Sequence, residues 1–236
     1  SSRFCSSAVF DQTASISWQS LETTMLSIPQ GLVSLLVVVA AILLTGTSAS
    51  CPGYSDVANM SNPAVAKFEL SKFVGTWYEV YSHNLPYLTS GCHCTRYDVA
   101  LQGEDWGTHF MCKKGNSAGK MTELHSDNKH ASDPRYPGML TESWKLPVGH
   151  TPATAYWVLD VGADATGDYQ KSLVYSCTSI LGAKQEWIYL FSRSTSLSTT
   201  DVAEWMEYMK QKGIDTSDVK QVPQDADCWS SEELLV

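Results

Sequence analysis

The sequence predicts an all-β domain, an antiparallel barrel or sandwich, followed by one helix. Short segments rich in β-branched and aromatic residues recur along the chain, and clusters of Gly, Pro, Asn or Asp separate most of them. Eight such segments in series are typical of a closed barrel or a two-layered sheet. The predicted strands are Thr76–Ser82, Thr95–Leu101, Thr108–Lys113, Lys120–His125, Leu140–Leu146, Ala155–Val161, Ser172–Cys177 and Glu186–Arg193.

One segment near the C-terminus, residues 199–212, has helical periodicity. Its apolar residues recur at i, i+3, i+4 and i+7, which gives a single apolar stripe. Ser198 can cap the first turn and Gly213 can end the last one. An extended piece, Asp218–Val222, follows the helix. Residues 51–67 precede the first strand; they are polar and interrupted by Pro and Gly, which predicts an extended N-terminal arm. The stripe consists of Val202, Trp205, Met206 and Met209.

The composition describes a folded and acidic chain. Hydrophobic residues make up 43% of the 236 residues and charged residues 17%, so the chain can bury a core and is not disordered as a whole. The net charge of −9 and the lack of a dense Lys/Arg run argue against nucleic-acid binding, because phosphate backbones attract basic surfaces.

The N-terminal residues 1–50 are expected to be processed away. Residues 31–44 form a mostly apolar run that is shorter than the ~20 residues of a membrane span and resembles the core of a signal peptide. Small residues follow it, which predicts cleavage before Cys51. Met25 is the natural initiator, with residues 1–24 as an upstream extension; a type II membrane anchor is the alternative. The remaining residues 51–236 are expected to form a single secreted domain.

Six cysteines remain after this cleavage, and an even number entering an oxidising compartment predicts three disulfides. The sequon Asn59-Met60-Ser61 agrees with secretion and makes Asn59 a candidate glycosylation site. The spacing Cys92-His93-Cys94 is unlike that of zinc sites, so no metal is expected.

Two short motifs carry a family resemblance. Gly75-Thr76-Trp77-Tyr78 stands at the start of the first strand, and Arg193 ends the eighth. Together they resemble the signature of the lipocalins, in which an Arg lies across the Trp face at the closed end of the barrel. Cys51-Pro52 and the segments around Trp157, Tyr175 and Cys228 are similar to the apolipoprotein D-like lipocalins, which bind bilins, carotenoids and lipids.

The resemblance selects the barrel over the sandwich: an eight-stranded antiparallel up-and-down barrel with the helix packed outside. It also implies the pairs Cys51–Cys177 and Cys92–Cys228. Cys94 and Cys112 lie in consecutive predicted strands, so a Cys94–Cys112 bridge is expected. The roles of Cys92 and Cys94 could be exchanged.

Strand alternation and the family pattern predict the side chains that face the interior. Arg193, Gly75 and Trp77 form the floor signature, and the loop at residues 84–88 lies at the mouth, where it could touch a membrane or lipoprotein. The expected ligand contacts are Glu79, Tyr81, Tyr97, Val99, Trp157, Leu159, Trp187, Tyr189 and Phe191, with Leu85, Tyr87 and Leu88 in the entrance loop.

These residues predict an extracellular carrier, a monomer or weak homo-oligomer, that holds a lipid, fatty acid, sterol, retinoid, carotenoid or bilin in the barrel. Such a pigment or lipid is cargo, and no cofactor is required. No catalytic residues are expected, because every mature cysteine has a partner and the His residues are scattered. Two alternatives stay open: a lipocalin-type isomerase or de-epoxidase acting on a lipid or carotenoid, and a scaffold that binds no ligand.

Overall fold

A computed structural model describes residues 50–83, 91–130, 133–180 and 183–229. Most of the expected signal segment, residues 1–49, lies outside these ranges, as do Leu85, Tyr87 and Leu88 of the expected entrance loop. The elements are α1 (Tyr54–Val57), α2 (Pro63–Ala66), α3 (Leu70–Phe73), β1 (Gly75–His83), β2 (Cys92–Gln102), β3 (Asp105–Lys114), β4 (Met121–Lys129), β5 (Met139–Leu146), β6 (Gly149–His150), β7 (Thr154–Ala163), β8 (Tyr169–Ile180), β9 (Ala183–Ser192), α4 (Thr199–Gln211) and β10 (Val219–Gln221).

Eight of the strands form a closed antiparallel up-and-down barrel. Each strand of the series β1, β2, β3, β4, β5, β7, β8 and β9 pairs with the next, and β9 returns to β1 with Glu79 opposite Phe191. The predicted fold class is therefore confirmed. The two-residue strand β6 pairs with the C-terminal end of β5 in a hairpin, and β10 pairs with the last three residues of β1.

The predicted C-terminal helix is α4. The Ser198 side chain accepts a hydrogen bond from the Asp201 backbone N–H and so caps the first turn. Trp205 and Met209 are buried, because the apolar stripe of the helix packs against the hydrophobic core. Gly213 follows in the left-handed region, with φ of +73°.

The N-terminal arm is not the extended segment that its Pro and Gly residues predict. It contains the short helices α1 and α2, which lie against β7. The Tyr54 hydroxyl donates to the Val158 carbonyl at 2.9 Å, and the Asn62 side chain donates to Asp160 at 2.7 Å. Polar contacts to one strand thus fold the arm onto the outside of the barrel.

The up-and-down order gives the barrel two distinct ends. We call the end where β1 begins and β9 ends the floor, and the opposite end the mouth. The mouth carries the β3–β4 and β5–β6 turns.

No helix in the described part of the chain is long and apolar enough to cross a bilayer.

Candidate functional site

The floor is closed by the contact between Arg193 and Trp77. The guanidinium carbon lies 3.8 Å from the Trp77 ring centroid, a cation–π distance. The same guanidinium donates to five backbone carbonyls, among them Thr76 and Val74, each at 2.7 Å. Burial lowers the pKa of Arg193 to about 10, which leaves it charged at neutral pH. The expected meeting of Trp77 and Arg193 is what the structure shows.

Gly75 stands next to this contact for a steric reason. Its φ is +102°, a conformation that residues with a Cβ rarely adopt. A Cβ on Gly75 would also lie 3.2 Å from Nη1 of Arg193. The Gly of the floor signature therefore leaves room for the guanidinium.

A bulge in β1 changes which of its side chains face the interior. Glu79 pairs with Phe191, but the register then shifts, so that Tyr81 pairs with Leu190 and Ser82 with Tyr189. Directly paired residues share a face of the sheet. Ser82 therefore points inward beside Glu79 and Tyr81 points outward, so the expected inward placement of Tyr81 is wrong.

The predicted inward-facing positions of β7 are also wrong by one residue, so Trp157 does not face the interior. Tyr156 faces the interior, where its ring centroid lies 5.0 Å from that of Trp106. Trp157 lies outside and contacts Tyr54 of α1 at 5.7 Å. Leu159 sits at a second bulge, fully buried, with its carbonyl bonded to the arm. Because the arm covers β7 from outside, Trp157 is an apolar residue with an outer partner, which alternation alone cannot reveal.

Aromatic rings line the interior between the floor and the middle of the barrel. The Tyr97 ring centroid lies 4.9 Å from Phe191 and 5.1 Å from Phe110, and Tyr189 stacks on Phe191 at 5.9 Å. Val99 shares the face of Tyr97, and Trp187 shares the face of Tyr189. The structure thus brings Tyr97, Val99, Trp187, Tyr189 and Phe191 to the interior; their contact with a ligand stays a prediction.

Exposure of the inward side chains changes with depth. Near the floor Trp77, Trp106 and Phe191 are buried completely or nearly so. Toward the mouth the inward side chains of Leu124 and Trp144 are only partly buried, as are Trp187 and Tyr189. Side chains that point into a closed barrel and still have accessible surface must border open space. The interior is therefore filled at the floor and accessible toward the mouth.

Glu79 is a buried carboxyl on one wall of this interior. The Tyr97 hydroxyl donates to Glu79 Oε2 at 2.8 Å, and Ser82 supplies a second hydrogen bond. Burial raises the pKa of Glu79 to about 7 despite these two bonds. Glu79 therefore faces the interior, as its position two residues after Trp77 predicts.

Glu142 is a second interior carboxyl, which the sequence analysis missed. It pairs with Asn128 on β4 and Thr154 on β7, and only 7% of it is exposed. Burial raises its pKa to about 8, opposed by a hydrogen bond from the Trp144 side chain. The alternation Leu140-x-Glu142-x-Trp144 in a predicted strand is the signal that could have found it.

Comparison with known proteins places this architecture in a family. The lipocalin-like domain family matches residues 68–224, most of the chain. The chain is a lipocalin. It is 25% identical to apolipoprotein D of the guinea pig, Cavia porcellus, over 73% of this chain and 87% of that protein. The apolipoprotein D of the mouse, Mus musculus, is 23% identical over 66% of this chain and 76% of its own length.

Solved lipocalin structures share the fold of this chain. Lobster apocrustacyanin A1 superposes with a TM-score of 0.54 at 18% identity, over 74% of this chain and 85% of the other. Insecticyanin from the tobacco hornworm, Manduca sexta, gives a TM-score of 0.56 at 21% identity, over 71% and 87%.

Three disulfides lie within the described part of this lipocalin. Cys51–Cys177 ties the N-terminal arm to β8, as expected. The other two pairs are Cys92–Cys112 and Cys94–Cys228. The expected Cys92–Cys228 and Cys94–Cys112 pairs are therefore wrong, and the exchange that the sequence left open is the observed arrangement.

The physical reason for this exchange lies in β2. The β2–β3 register shifts between His93 and Arg96, and Cys94 has a φ of +54°. Its backbone N–H bonds to the Pro223 carbonyl of the tail rather than to β3. Cys94 thus turns toward the C-terminal tail and Cys92 is left beside Cys112.

Asn59 lies partly buried at the arm. Its side-chain amide donates to Asp160 at 3.3 Å, and Ser61 donates to Asn59 Oδ1 at 2.7 Å. Its glycosylation stays a prediction.

Within the described residues, no three His, Cys, Asp or Glu side chains are grouped so that they could hold a metal ion.

Proposed function

We propose that this lipocalin is an extracellular carrier that holds a small hydrophobic molecule in the mouth half of its barrel. The observation that carries the proposal is the gradient of exposure along an aromatic interior wall, from sealed rings at the floor to accessible ones toward the mouth. Pockets for small molecules are concave and mostly apolar, with few polar groups, and this interior has that character.

The relatives support the same function. The name apolipoprotein D describes a protein that associates with lipid. Apocrustacyanin A1 and insecticyanin share the barrel fold of this chain. Cargo chemistry that suits this interior is a flat or elongated apolar body with one polar end.

Reversible binding without catalysis is the form of the function we propose. All six cysteines within the described residues are in disulfides, so this part of the chain offers no thiolate nucleophile. Secretion is part of the proposal, and three disulfides agree with an oxidising compartment. If the chain is expressed from Met25 in secretory cells, N-terminal sequencing of the protein in the medium should begin at Cys51.

A matched pair of variants tests the carrier function. Leu124→Trp adds a bulky ring to the accessible half of the interior, whereas His125→Trp introduces the same residue one position away on the exposed outer face. We expect Leu124→Trp to weaken binding of an environment-sensitive apolar fluorophore at least tenfold, and His125→Trp to leave it unchanged. Circular dichroism verifies that both variants fold.

The natural cargo can be identified independently. Protein purified from its source without detergent is extracted with organic solvent, and the extract is studied by absorption and mass spectrometry. A pigment or lipid at near-stoichiometric amount supports the carrier function. If no fluorophore binds and no molecule is extracted, the protein is a scaffold and the proposal is wrong.

A further inference from the structure

Two buried carboxyls face each other across the barrel. Glu79 belongs to β1 and Glu142 to β5, and three strands separate these two in either direction around the closed ring. Both side chains are on the inward face of their strands, so they lie on opposite walls of one interior.

The two carboxyls differ in how their oxygens are satisfied. Glu79 receives hydrogen bonds from Tyr97 and Ser82. Glu142 receives one from Trp144, but its Oε1 is buried without a hydrogen-bond partner in the described part of the protein. A buried acceptor without a donor is costly, and such groups are rare in folded proteins. Glu142 therefore has an open position for a donor that comes from outside the chain.

In the part of the chain that the structure describes, burial and the Trp144 side chain are the influences on the pKa of Glu142, and no cation balances it. Burial raises the pKa of Tyr97, Tyr156 and Tyr189, and Glu142 adds to each shift, so these neighbouring hydroxyls stay neutral and bring no positive charge. Its paired neighbours Asn128 and Thr154 are neutral.

Among residues 50–83, 91–130, 133–180 and 183–229, basic side chains reach the inward face at its two ends. Lys114 is the last residue of β3, at the mouth, where its ammonium lies 3.5 Å from Cys92 Sγ. Arg193 is at the floor, where backbone carbonyls surround its guanidinium. Among the described residues, the middle of the barrel thus combines aromatic faces and neutral polar side chains such as Ser126 and Asn128 with two carboxyls and no counter-charge.

We propose that the cargo of this lipocalin carries a primary ammonium, which donates to Oε1 of Glu142 while its apolar body lies against the aromatic wall. The inference rests on the proposed carrier function and narrows its cargo. Aromatic faces add cation–π attraction for the same group. A carboxylate group placed beside Glu142 would instead face two carboxyls and lose its hydration without gaining a counter-charge at that depth.

The number of protons released on binding depends on the protonation state of Glu142. Its pKa of about 8 means that the carboxyl holds a proton at pH 7 in the free protein. An entering ammonium stabilises the carboxylate, so the carboxyl releases that proton to the solvent while the cargo keeps its own. Binding of an amine at pH 7 should therefore release up to one proton per molecule, whereas binding of a neutral alcohol should release none.

Three probes with the same ten-carbon alkyl group distinguish the effects of the head group: decylamine, decanol and decanoate, the ionic probes below their critical micelle concentrations and decanol below its solubility limit. Titration calorimetry at pH 7 is expected to give decylamine at least tenfold tighter binding than decanol, with decanoate the weakest. Repeating the titration in phosphate and Tris, which differ in ionisation enthalpy, counts the protons released by the unmodified protein.

Glu142→Gln keeps the size of the side chain and removes its ability to ionise when an ammonium binds. We expect it to weaken decylamine binding about tenfold and to leave decanol binding unchanged. Glu104→Gln, at an exposed position in the β2–β3 turn, is the control and should bind like the unmodified protein.

The outcomes distinguish this inference from the carrier function. Decanoate binding as tightly as decylamine, no proton release, or an undiminished amine preference in Glu142→Gln would each overturn the ammonium assignment. If none of the three probes binds while the apolar fluorophore does, the assignment is overturned and the carrier function stands. If neither the probes nor the fluorophore bind, both proposals fail.

Discussion

At the scale of single residues, Arg193 combines a ring contact with five hydrogen bonds to carbonyls of separate segments. A planar guanidinium can do both, whereas an ammonium on a flexible stem cannot reach all the acceptors. Arg193→Lys should therefore lower the free energy of unfolding by about 2–3 kcal/mol, because buried carbonyls lose their donors. Chemical denaturation measures the change.

The control for that change is Arg135→Lys. The Arg135 side chain is 77% exposed and pairs with its near neighbour Asp133. Its replacement should alter stability by less than about 0.5 kcal/mol, as is usual for surface positions. Equal effects of the two substitutions would show that the guanidinium geometry at the floor is unimportant.

Gly75 allows a second test at the same scale. In Gly75→Ala, the alanine must adopt a positive φ and its Cβ also lies 3.2 Å from Arg193. In Gly213→Ala, the alanine must adopt a positive φ, but nothing lies within 4 Å of its Cβ. We expect a loss of about 1 kcal/mol at Gly213 and about 2–3 kcal/mol at Gly75. Thermal unfolding of both variants measures the difference, and equal losses would refute the steric role of Gly75.

At the scale of elements, Asp160 joins three parts of the chain. Its carboxylate on β7 accepts from Trp205 of α4 at 2.9 Å and from Asn62 beside α2 at 2.7 Å. Asp160→Asn removes the charge and one acceptor, so it should destabilise the protein by about 2 kcal/mol. Glu204→Gln on the exposed side of α4 should have little effect. Denaturant titration of both variants tests this, and similar midpoints would contradict the role of Asp160.

The disulfides link elements that differ widely in sequence separation. Cys94–Cys228 spans 134 residues and Cys92–Cys112 spans 20. A crosslink that closes a longer loop restricts the unfolded chain more. Removing the pair Cys94–Cys228 by double Ser substitution should therefore cost about 1–2 kcal/mol more than removing Cys92–Cys112. Non-reducing peptide mapping establishes the pairs, and a Cys94–Cys112 peptide would contradict the structure.

Strand positions were predictable from sequence, whereas side-chain faces were predictable only up to the first irregularity. All eight barrel strands lie where β-branched and aromatic segments indicate them. A bulge between Glu79 and Tyr81 then reverses the faces in β1, and an unusual φ at Cys94 redirects a disulfide. Such irregularities depend on contacts between distant segments, so no local pattern indicates them.

At the scale of the whole molecule, the order of elements and the pair Trp77 and Arg193 sufficed to predict the barrel. The candidate site was harder to predict. Glu79 follows the Gly75-Thr76-Trp77 motif closely, so its face could be inferred from Trp77. Glu142 lies far from any motif, and its burial depends on the β4 and β7 strands on either side of it.

The two interior carboxyls also make the stability of the whole barrel depend on pH. Burial holds the pKa of Glu79 at about 7 and that of Glu142 at about 8, above the usual value of 4.5 for both. Between pH 4.5 and 8 the folded protein therefore binds more protons than the unfolded chain. Where the folded state binds more protons than the unfolded chain, the free energy of unfolding decreases as the pH rises. These two groups therefore lower the stability of the barrel as the pH rises through that window.

Replacing both carboxyls should remove this dependence. The double variant Glu79→Gln/Glu142→Gln should be about as stable as the unmodified protein at pH 5 and more stable at pH 8. One pKa unit corresponds to about 1.4 kcal/mol, so the difference at pH 8 should be on the order of a few kcal/mol. Denaturant unfolding at pH 5, 6, 7 and 8 measures it, with Glu104→Gln/Glu204→Gln as the exposed control pair. If the double variant loses stability with pH as steeply as the unmodified protein, the carboxyls are ionised in the folded state and the interior is wetter than its burial indicates.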